Sequence, residues 1–432
     1  MSLLLYRLAQ VLLSPLLVLL MAYRLLVGRE DSARFAERRG KSDVARPAGP
    51  LVWLHGASVG EVVSLLPVLH QLRALRPDVH LLLTTGTRTG MRMLEKTAPA
   101  LAGHGAVVCR YVPLDVGLFV RRFVNHWQPN LSVFVESEFW PELLAAAPNP
   151  MLLNGRISDR SWPQYQKWAW FFRPRLARYL HVIAQRDDDA KRLRHLGASN
   201  ITVGGNLKFD AAPLAADEAL LEKFRALIGS RPTVVVASTH PGEEEMAAKL
   251  HMALKQQVPE VLTIIVPRHP HRGTAAMNAL QRYTRAVHRR GTGEVPHSGG
   301  QRHTDIYLAD TLGELGLWYR LADVAIVGGS LVPHGGHNPL EPLRLGVPTA
   351  TGPHMFNFQD MMPPLTNHQL VFIAPDMAAL TQHVLGLLTK PELAKAARSK
   401  IATTLPLLSG SSKTAALAIA EKLPLAETVS IA

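Results

Sequence analysis

Acidic side chains recur in this chain where an apolar run gives way to a turn and a helix. Glu61 follows Leu51-Val52-Trp53-Leu54-His55 and the small residues Gly56-Ala57-Ser58-Val59-Gly60. At a helix start its carboxylate is favoured by the backbone dipole and completes a capping box with Ser58. The same placement suits a general base that takes a proton from a hydroxyl. Glu136 and Glu138 leave another apolar run, Leu131-Ser132-Val133-Phe134-Val135. Pairing with Arg156 or Lys208 is one role for these acids, and chemistry at a strand end is another. Lys208, within Gly205-Asn206-Leu207-Lys208-Phe209-Asp210, suits an anionic phosphate or carboxylate.

The second half carries groups of a different kind. Val327-Gly328-Gly329-Ser330-Leu331-Val332-Pro333-His334-Gly335-Gly336-His337-Asn338-Pro339-Leu340-Glu341 reads as a strand, a Gly-rich turn and a helix with Pro just inside it. Glycines let backbone amides approach an anion, and a helix N-terminus adds a positive field. Glu341, one turn in, is placed to accept from vicinal ribose hydroxyls. Arg268, in Pro267-Arg268-His269-Pro270, suits bidentate contact with a phosphate. Asp310-Thr311-Leu312-Gly313-Glu314-Leu315 adds a third turn of amides, and three such turns on one edge point to a nucleotide pocket. The glycine spacing is neither a dinucleotide fingerprint nor a P-loop, which disfavours NAD and ATP chemistry. Nineteen histidines invite a metal, yet no His-x-x-x-His or Asp-x-Asp pair lies near the pocket, so none is expected. His55, His240, His269 and His337 are expected to line the cleft as hydrogen-bond partners.

Positioning these groups takes two copies of one layout. Leu51 to Glu61 and Val234 to Glu243 share the pattern of strand, small-residue turn and Gly-Glu at a helix start. Each is followed by a second strand, by Pro-Leu-Asp115 or Leu-Ala-Asp310, and by a further buried strand. Strands apolar on both faces are those of a parallel sheet covered by helices. The expected fold is α/β, two Rossmann-like halves facing a cleft, with ligands beyond the carboxyl ends of the strands. The expected boundaries are 1–42 for a membrane anchor and basic flank, 43–215 for the first half and 216–432 for the second. Positions 291–302 read as a loop of low order.

The chain of 432 residues has a formal charge of +13 and one cysteine, Cys109. That excludes an intramolecular disulfide and a Cys-based zinc site, and apolar neighbours suggest an inert thiol. The basic residues are not interleaved with aromatics on one face, which argues against nucleic acid and for an anionic membrane surface. Residues 8–23 carry no charge between Arg7 and Arg24, somewhat short of the roughly twenty that cross a bilayer unless Arg7 snorkels. The basic run Arg24, Arg29, Arg34, Arg38, Arg39 and Lys41 then predicts that the body stays on the cytoplasmic side, held by a span or an interfacial helix.

With these motifs in order along the chain, and with Asn154-Gly155-Arg156-Ile157-Ser158, Gly352-Pro353-His354 and Phe356-Asn357-Phe358 between and after them, the sequence resembles the bacterial 3-deoxy-D-manno-octulosonic acid (Kdo) transferases of lipopolysaccharide assembly. The resemblance implies a GT-B glycosyltransferase fold and transfer of Kdo from CMP-Kdo to the lipid A precursor, lipid IVA, at the cytoplasmic face of the inner membrane, without a cofactor. It implies Glu61 as general base, with Glu136 and Lys208 supporting the transition state. It implies CMP contacts from Pro267 and Arg268, from Leu312, Gly313 and Glu314, and from Asn338, Pro339, Leu340 and Glu341. Leu312 stands where the family often has Met, and His271 where an acid is common. A single displacement with one base would invert the anomeric centre, and cationic groups would stand in for a metal at the leaving phosphate. A UDP-sugar transferase or an epimerase would share the fold. A non-enzymatic basic lipid- or nucleic-acid-binding protein would leave the carboxylates unexplained.

Overall fold

The computed structural model describes residues 2–101, 103, 105–300 and 303–424. They form two compact units, Met1–Ala211 with Ser409–Ala432, and Ala212–Leu408. The expected division left everything after 216 in one domain. The helix Ser411–Glu421 instead belongs to the first unit, because Ala415, Ala416 and Ile419 are buried in one cluster with Leu65 and Leu69 of the helix Val59–Leu75.

The first unit is built on a parallel sheet of β1 (Leu51–His55), β2 (His80–Thr85), β3 (Val107–Tyr111), β4 (Leu131–Val135), β5 (Pro150–Gly155), β6 (His181–Ala184) and β7 (Ile201–Val203), in the order β3-β2-β1-β4-β5-β6-β7. Every residue of β1, β4 and β5 is buried, as strands covered on both faces require. Chain order reverses between β1 and β4, so the open crevice lies at their carboxyl ends. Glu61 and Glu136 both follow those ends.

The second unit repeats the plan with β8 (Thr233–Thr239), β9 (Leu262–Pro267), β10 (Val287–Arg289), β11 (Ile306–Leu308), β12 (Val324–Val327), β13 (Thr349–Thr351) and β14 (Val371–Ile373), in the order β10-β11-β9-β8-β12-β13-β14. All pairings are parallel. The reversal lies between β8 and β12, where the Gly-rich turn begins. Part of the loop expected to be of low order is tied down: Gly293 N–H donates to Arg290 O, and the Tyr307 hydroxyl donates to Glu294 O at 2.8 Å. Residues 301 and 302 lie outside the described residues.

The N-terminal helix Ser2–Leu26 is long and apolar enough to cross a membrane, and its leucines are largely exposed. Arg7 does not snorkel. It pairs with buried Glu142 at 2.6 Å, and Tyr6 donates to Asp115 at 2.9 Å. Nor is the basic run a free flank. Arg24 and Arg38 share buried Glu30, and Arg34 pairs with Glu37 and Glu95. Arg38 also donates to Val112 O at 3.0 Å, and Tyr111 N–H donates to Glu37 at 2.7 Å. Residues 30–40 are therefore part of the first unit's body rather than of a detachable anchor. Arg38→Ala leaves Glu30 buried with a weaker partner set, and should cost about 3–5 kcal/mol, read as a lower urea midpoint. An unchanged midpoint would show that this segment is peripheral.

Candidate active site

Glu136 is the first residue past β4 and has a φ of 62°, a left-handed conformation unusual for a glutamate. Its carboxylate lies 2.9 Å from Lys208 Nζ and 3.6 Å from Arg156 Nη1. Both partners named as structural alternatives in the sequence are thus present. Glu138 lies 3.4 Å from Nε2 of buried His55 and accepts from Trp140 Nε1 at 2.6 Å. His55 holds its other ring nitrogen 2.9 Å from Thr84 Oγ1, so it is a buried link between β2 and Glu138.

Glu61 completes the group. Ser58 caps the helix Val59–Leu75 by accepting from Glu61 N–H, and its hydroxyl donates to Glu61 Oε1 at 2.9 Å. The reciprocal bond reaches one residue further back than a capping box does, from Ala57 N–H to Glu61 Oε2 at 2.8 Å. The capping role is real and does not satisfy the carboxylate. Burial, with the charges of Glu136 and Glu138 next, pushes Glu61 up to about 7, against those two hydrogen bonds. A carboxylate there is a far better base at neutral pH than a solvated one.

Lys208 is placed by three constraints. Asn206 caps its 3-10 turn, accepting from Lys208 N–H at 3.0 Å, and Asn154 Oδ1 at the end of β5 accepts from Leu207 N–H at 3.0 Å. Asp210 of the same turn accepts from Gly410 N–H at 2.6 Å and from Ser412 N–H. The C-terminal helix returns to the first unit at the turn that carries the lysine. The motif around Lys208 was visible in the sequence, but no local signal showed that Asp210 would meet residues two hundred positions later.

In the second unit the residue matching Glu61 has another fate. Glu243 is fully buried, and its carboxylate accepts from the N–H groups of His240 (2.9 Å), Gly329 (2.7 Å) and Leu331 (2.9 Å). It fixes the start of the Gly-rich turn. The expectation that these glycines offer amides to an anion is corrected for Gly328, Gly329 and Gly336. Gly328 N–H donates to Ala237 O, Gly329 to Glu243, and Gly336 to Gly329 O. Gly335 and Gly336 are needed for positive φ (97° and 76°) and because a Cβ would strike Asn357 and Met355. The helix Leu340–Leu343 is a single turn, and Leu315–Arg320 is six residues long, so neither supplies the dipole expected of a full helix.

What remains accessible is more specific. The N–H groups of His337 and Asn338, and those of Leu312, Gly313 and Glu314, have no acceptor among the described residues. Leu312 is 79% exposed, and Gly313 has a φ of 85°. The Glu314 side chain is held by Arg290 at 2.8 Å, which leaves its backbone for a ligand. Arg272, Arg289 and Arg290 all pair with carboxylates, whereas Arg268, exposed just after Pro267 at the end of β9, has no carboxylate partner among the described residues. Burial pushes Glu341 up to about 7, opposed by Arg268 and by a bond from Asn338, whose Oδ1 also accepts from Leu340 N–H at 3.0 Å. His240 and His337 meet through their Nε2 atoms at 2.9 Å, and burial with nearby Arg268 lowers His337 to about 4. No group of three His, Cys, Asp or Glu arranged to hold a metal occurs among the described residues. Cys109 is half-buried, with its thiol pushed up to about 11 by burial.

Two seven-stranded parallel units, one with a crowded carboxylate edge and the other with a cation and open amides, have the GT-B fold. The family model of 3-deoxy-D-manno-octulosonic-acid transferase (kdotransferase) matches residues 33–211. The 3-deoxy-D-manno-octulosonic acid transferase of Haemophilus influenzae is 36% identical over 371 residues, covering 83% of this chain and 84% of that one. The Bordetella pertussis transferase of the same name is 37% identical over 369 residues, with 83% and 84% covered. A crystal structure of the UDP-GlcNAc 2-epimerase of Neisseria meningitidis, 12% identical, overlays with a TM-score of 0.57 over 87% of this chain and 99% of its own, a likeness of fold alone. The chain belongs to the Kdo transferases, glycosyltransferases of lipopolysaccharide synthesis.

The raised value of Glu61 has a consequence for stability. Between the ordinary carboxylate range and about pH 7 the folded chain keeps a proton that the unfolded chain has released. That contribution is complete at low pH and is lost as pH rises through about 7. Wild type should therefore lose stability relative to Glu61→Gln between pH 5 and 8, measured by urea unfolding. Parallel pH profiles would place Glu61 in the ordinary range.

Proposed function

We propose that this chain moves Kdo from CMP-Kdo onto a hydroxyl of the lipid A precursor, lipid IVA, by a single inverting displacement without a metal ion. The observation that carries the reading is Glu61, held near neutrality beside two further carboxylates at the β1–β4 crevice. The acceptor hydroxyl gives its proton to the Glu61 carboxylate as its oxygen bonds to C2 of Kdo. The C2–O bond to phosphate breaks, and CMP leaves as a phosphate monoester anion. Positive charge that develops on the sugar is favoured beside Glu136, and Lys208, paired with that carboxylate at 2.9 Å, is assigned to support of the transition state.

Nucleotide contacts are assigned to Pro267 and Arg268, to the turn Leu312-Gly313-Glu314, and to Asn338, Pro339, Leu340 and Glu341. Unpaired Arg268 and the open amides support that assignment. A Glu341 carboxyl raised to about 7 by burial is suited to bonding with ribose hydroxyls. The apolar N-terminal helix and the charge of +13 support attachment to the anionic cytoplasmic face of the inner membrane, where a phosphorylated lipid acceptor is presented.

Glu61→Gln should leave the KM for CMP-Kdo nearly unchanged and lower kcat at least about a hundredfold. Turnover like wild type would remove Glu61 from the mechanism. Activity should also persist in excess EDTA, since Arg268, Lys208 and backbone donors carry the phosphate charge. Loss of turnover on chelation, restored by Mg²⁺, would contradict that part of the account.

A further inference from the structure

The N-terminal helix is clamped at both ends and stands off the body between them. Near its start Tyr6 and Arg7 bond Asp115 and Glu142, and near its end Arg24 reaches Glu30. Between these clamps lies a cavity of about 560 Å³, walled by Leu13, Leu17 and Leu20 of the helix and floored by His55, Ala57 and Glu138. Ala57 is the residue whose N–H binds Glu61, so the cavity runs from the helix to the turn that holds the proposed base. Leu12, Leu16 and Leu19, which do not line the cavity, are more than half exposed, as are Leu13 and Leu20 of its wall. A helix apolar toward a groove and apolar outward is suited to a lipid boundary, not to water. An occupant that touches both the groove and the Glu61 turn must have a hydrocarbon part and a polar part.

We propose that this groove takes a fatty acyl chain of the acceptor, the N-terminal helix forming one wall of the acceptor site as well as an anchor. The inference rests on the reading of the acceptor as an acylated glycolipid. The tail enters from the lipid side between the helix and the body, and the sugar hydroxyl is delivered at Ala57 and Glu61. A preformed apolar groove of this kind gives chain binding without the cost of ordering a loop.

The test uses the full-length protein in detergent with CMP-Kdo and two acceptors, the acylated disaccharide bisphosphate and the same disaccharide stripped of its acyl chains. Wild type should use both, with a KM at least about tenfold lower for the acylated acceptor. Leu17→Trp fills the groove and should raise that KM about tenfold, leaving the KM for CMP-Kdo and transfer to the stripped acceptor unchanged. Leu20→Phe, a smaller insertion, should act in the same direction by less. Leu16→Trp, on the outward face, should have no effect. If Leu17→Trp changes neither acceptor, or both equally, or if Leu16→Trp matches it, the groove does not hold the acceptor's chain. Equal KM values for the two acceptors in wild type would likewise overturn it. Failure of wild type to transfer Kdo to either acceptor would instead sink the proposed function.

Discussion

Three carboxylates forced to one edge of a parallel sheet are the constraint on which the first unit is organised. Glu61, Glu136 and Glu138 follow the carboxyl ends of two adjacent central strands, where like charges raise one another's cost of ionisation. The fold meets that cost unevenly. Glu136 receives Lys208 and Arg156, and Glu138 receives His55 and Trp140. Glu61 receives one backbone N–H and one hydroxyl. The countercharge depends on distant chain: Lys208 stands in a turn fixed by Asn154 and, through Asp210, by the start of the C-terminal helix.

The second unit shows what the same position becomes when it is fully satisfied. Glu243 opens the equivalent helix, but three backbone donors converge on it and it serves as the peg of the Gly-rich turn. One local pattern, strand then Gly-Glu, thus yields a carboxylate with two donors in one unit and a carboxylate with three in the other. Burial raises both carboxyls, and in Glu243 it is opposed by one more donor.

This contrast also marks how far the sequence could be read. The repeated layout and several strands, among them β2, β4, β9 and β12, follow from apolar runs bounded by turn residues, and both sheets form as expected. The pairing of Glu136 with Lys208 and Arg156 was within reach because all three lie in recognisable motifs. The duty of the glycines was not. Gly335 and Gly336 look like an anion cradle in sequence, and only tertiary contact with Asn357 and Met355 shows them to be close-packing positions. Arg34 and Arg38 look like a basic membrane flank until the buried acids Glu30 and Glu37 are seen beside them. The return of residues 409–424 to the first unit rests on contacts two hundred positions apart, which no periodicity reports.

Burial first, and crowding by Glu136 and Glu138 next, push the Glu61 carboxyl up to about 7. A direct titration of its side-chain carboxyl by carbon-13 NMR, in the intact chain and in Glu136→Gln, tests it. A midpoint near 7 is expected in wild type and a lower one when the Glu136 charge is removed. A wild-type midpoint in the ordinary carboxylate range, or one indifferent to Glu136, would contradict it.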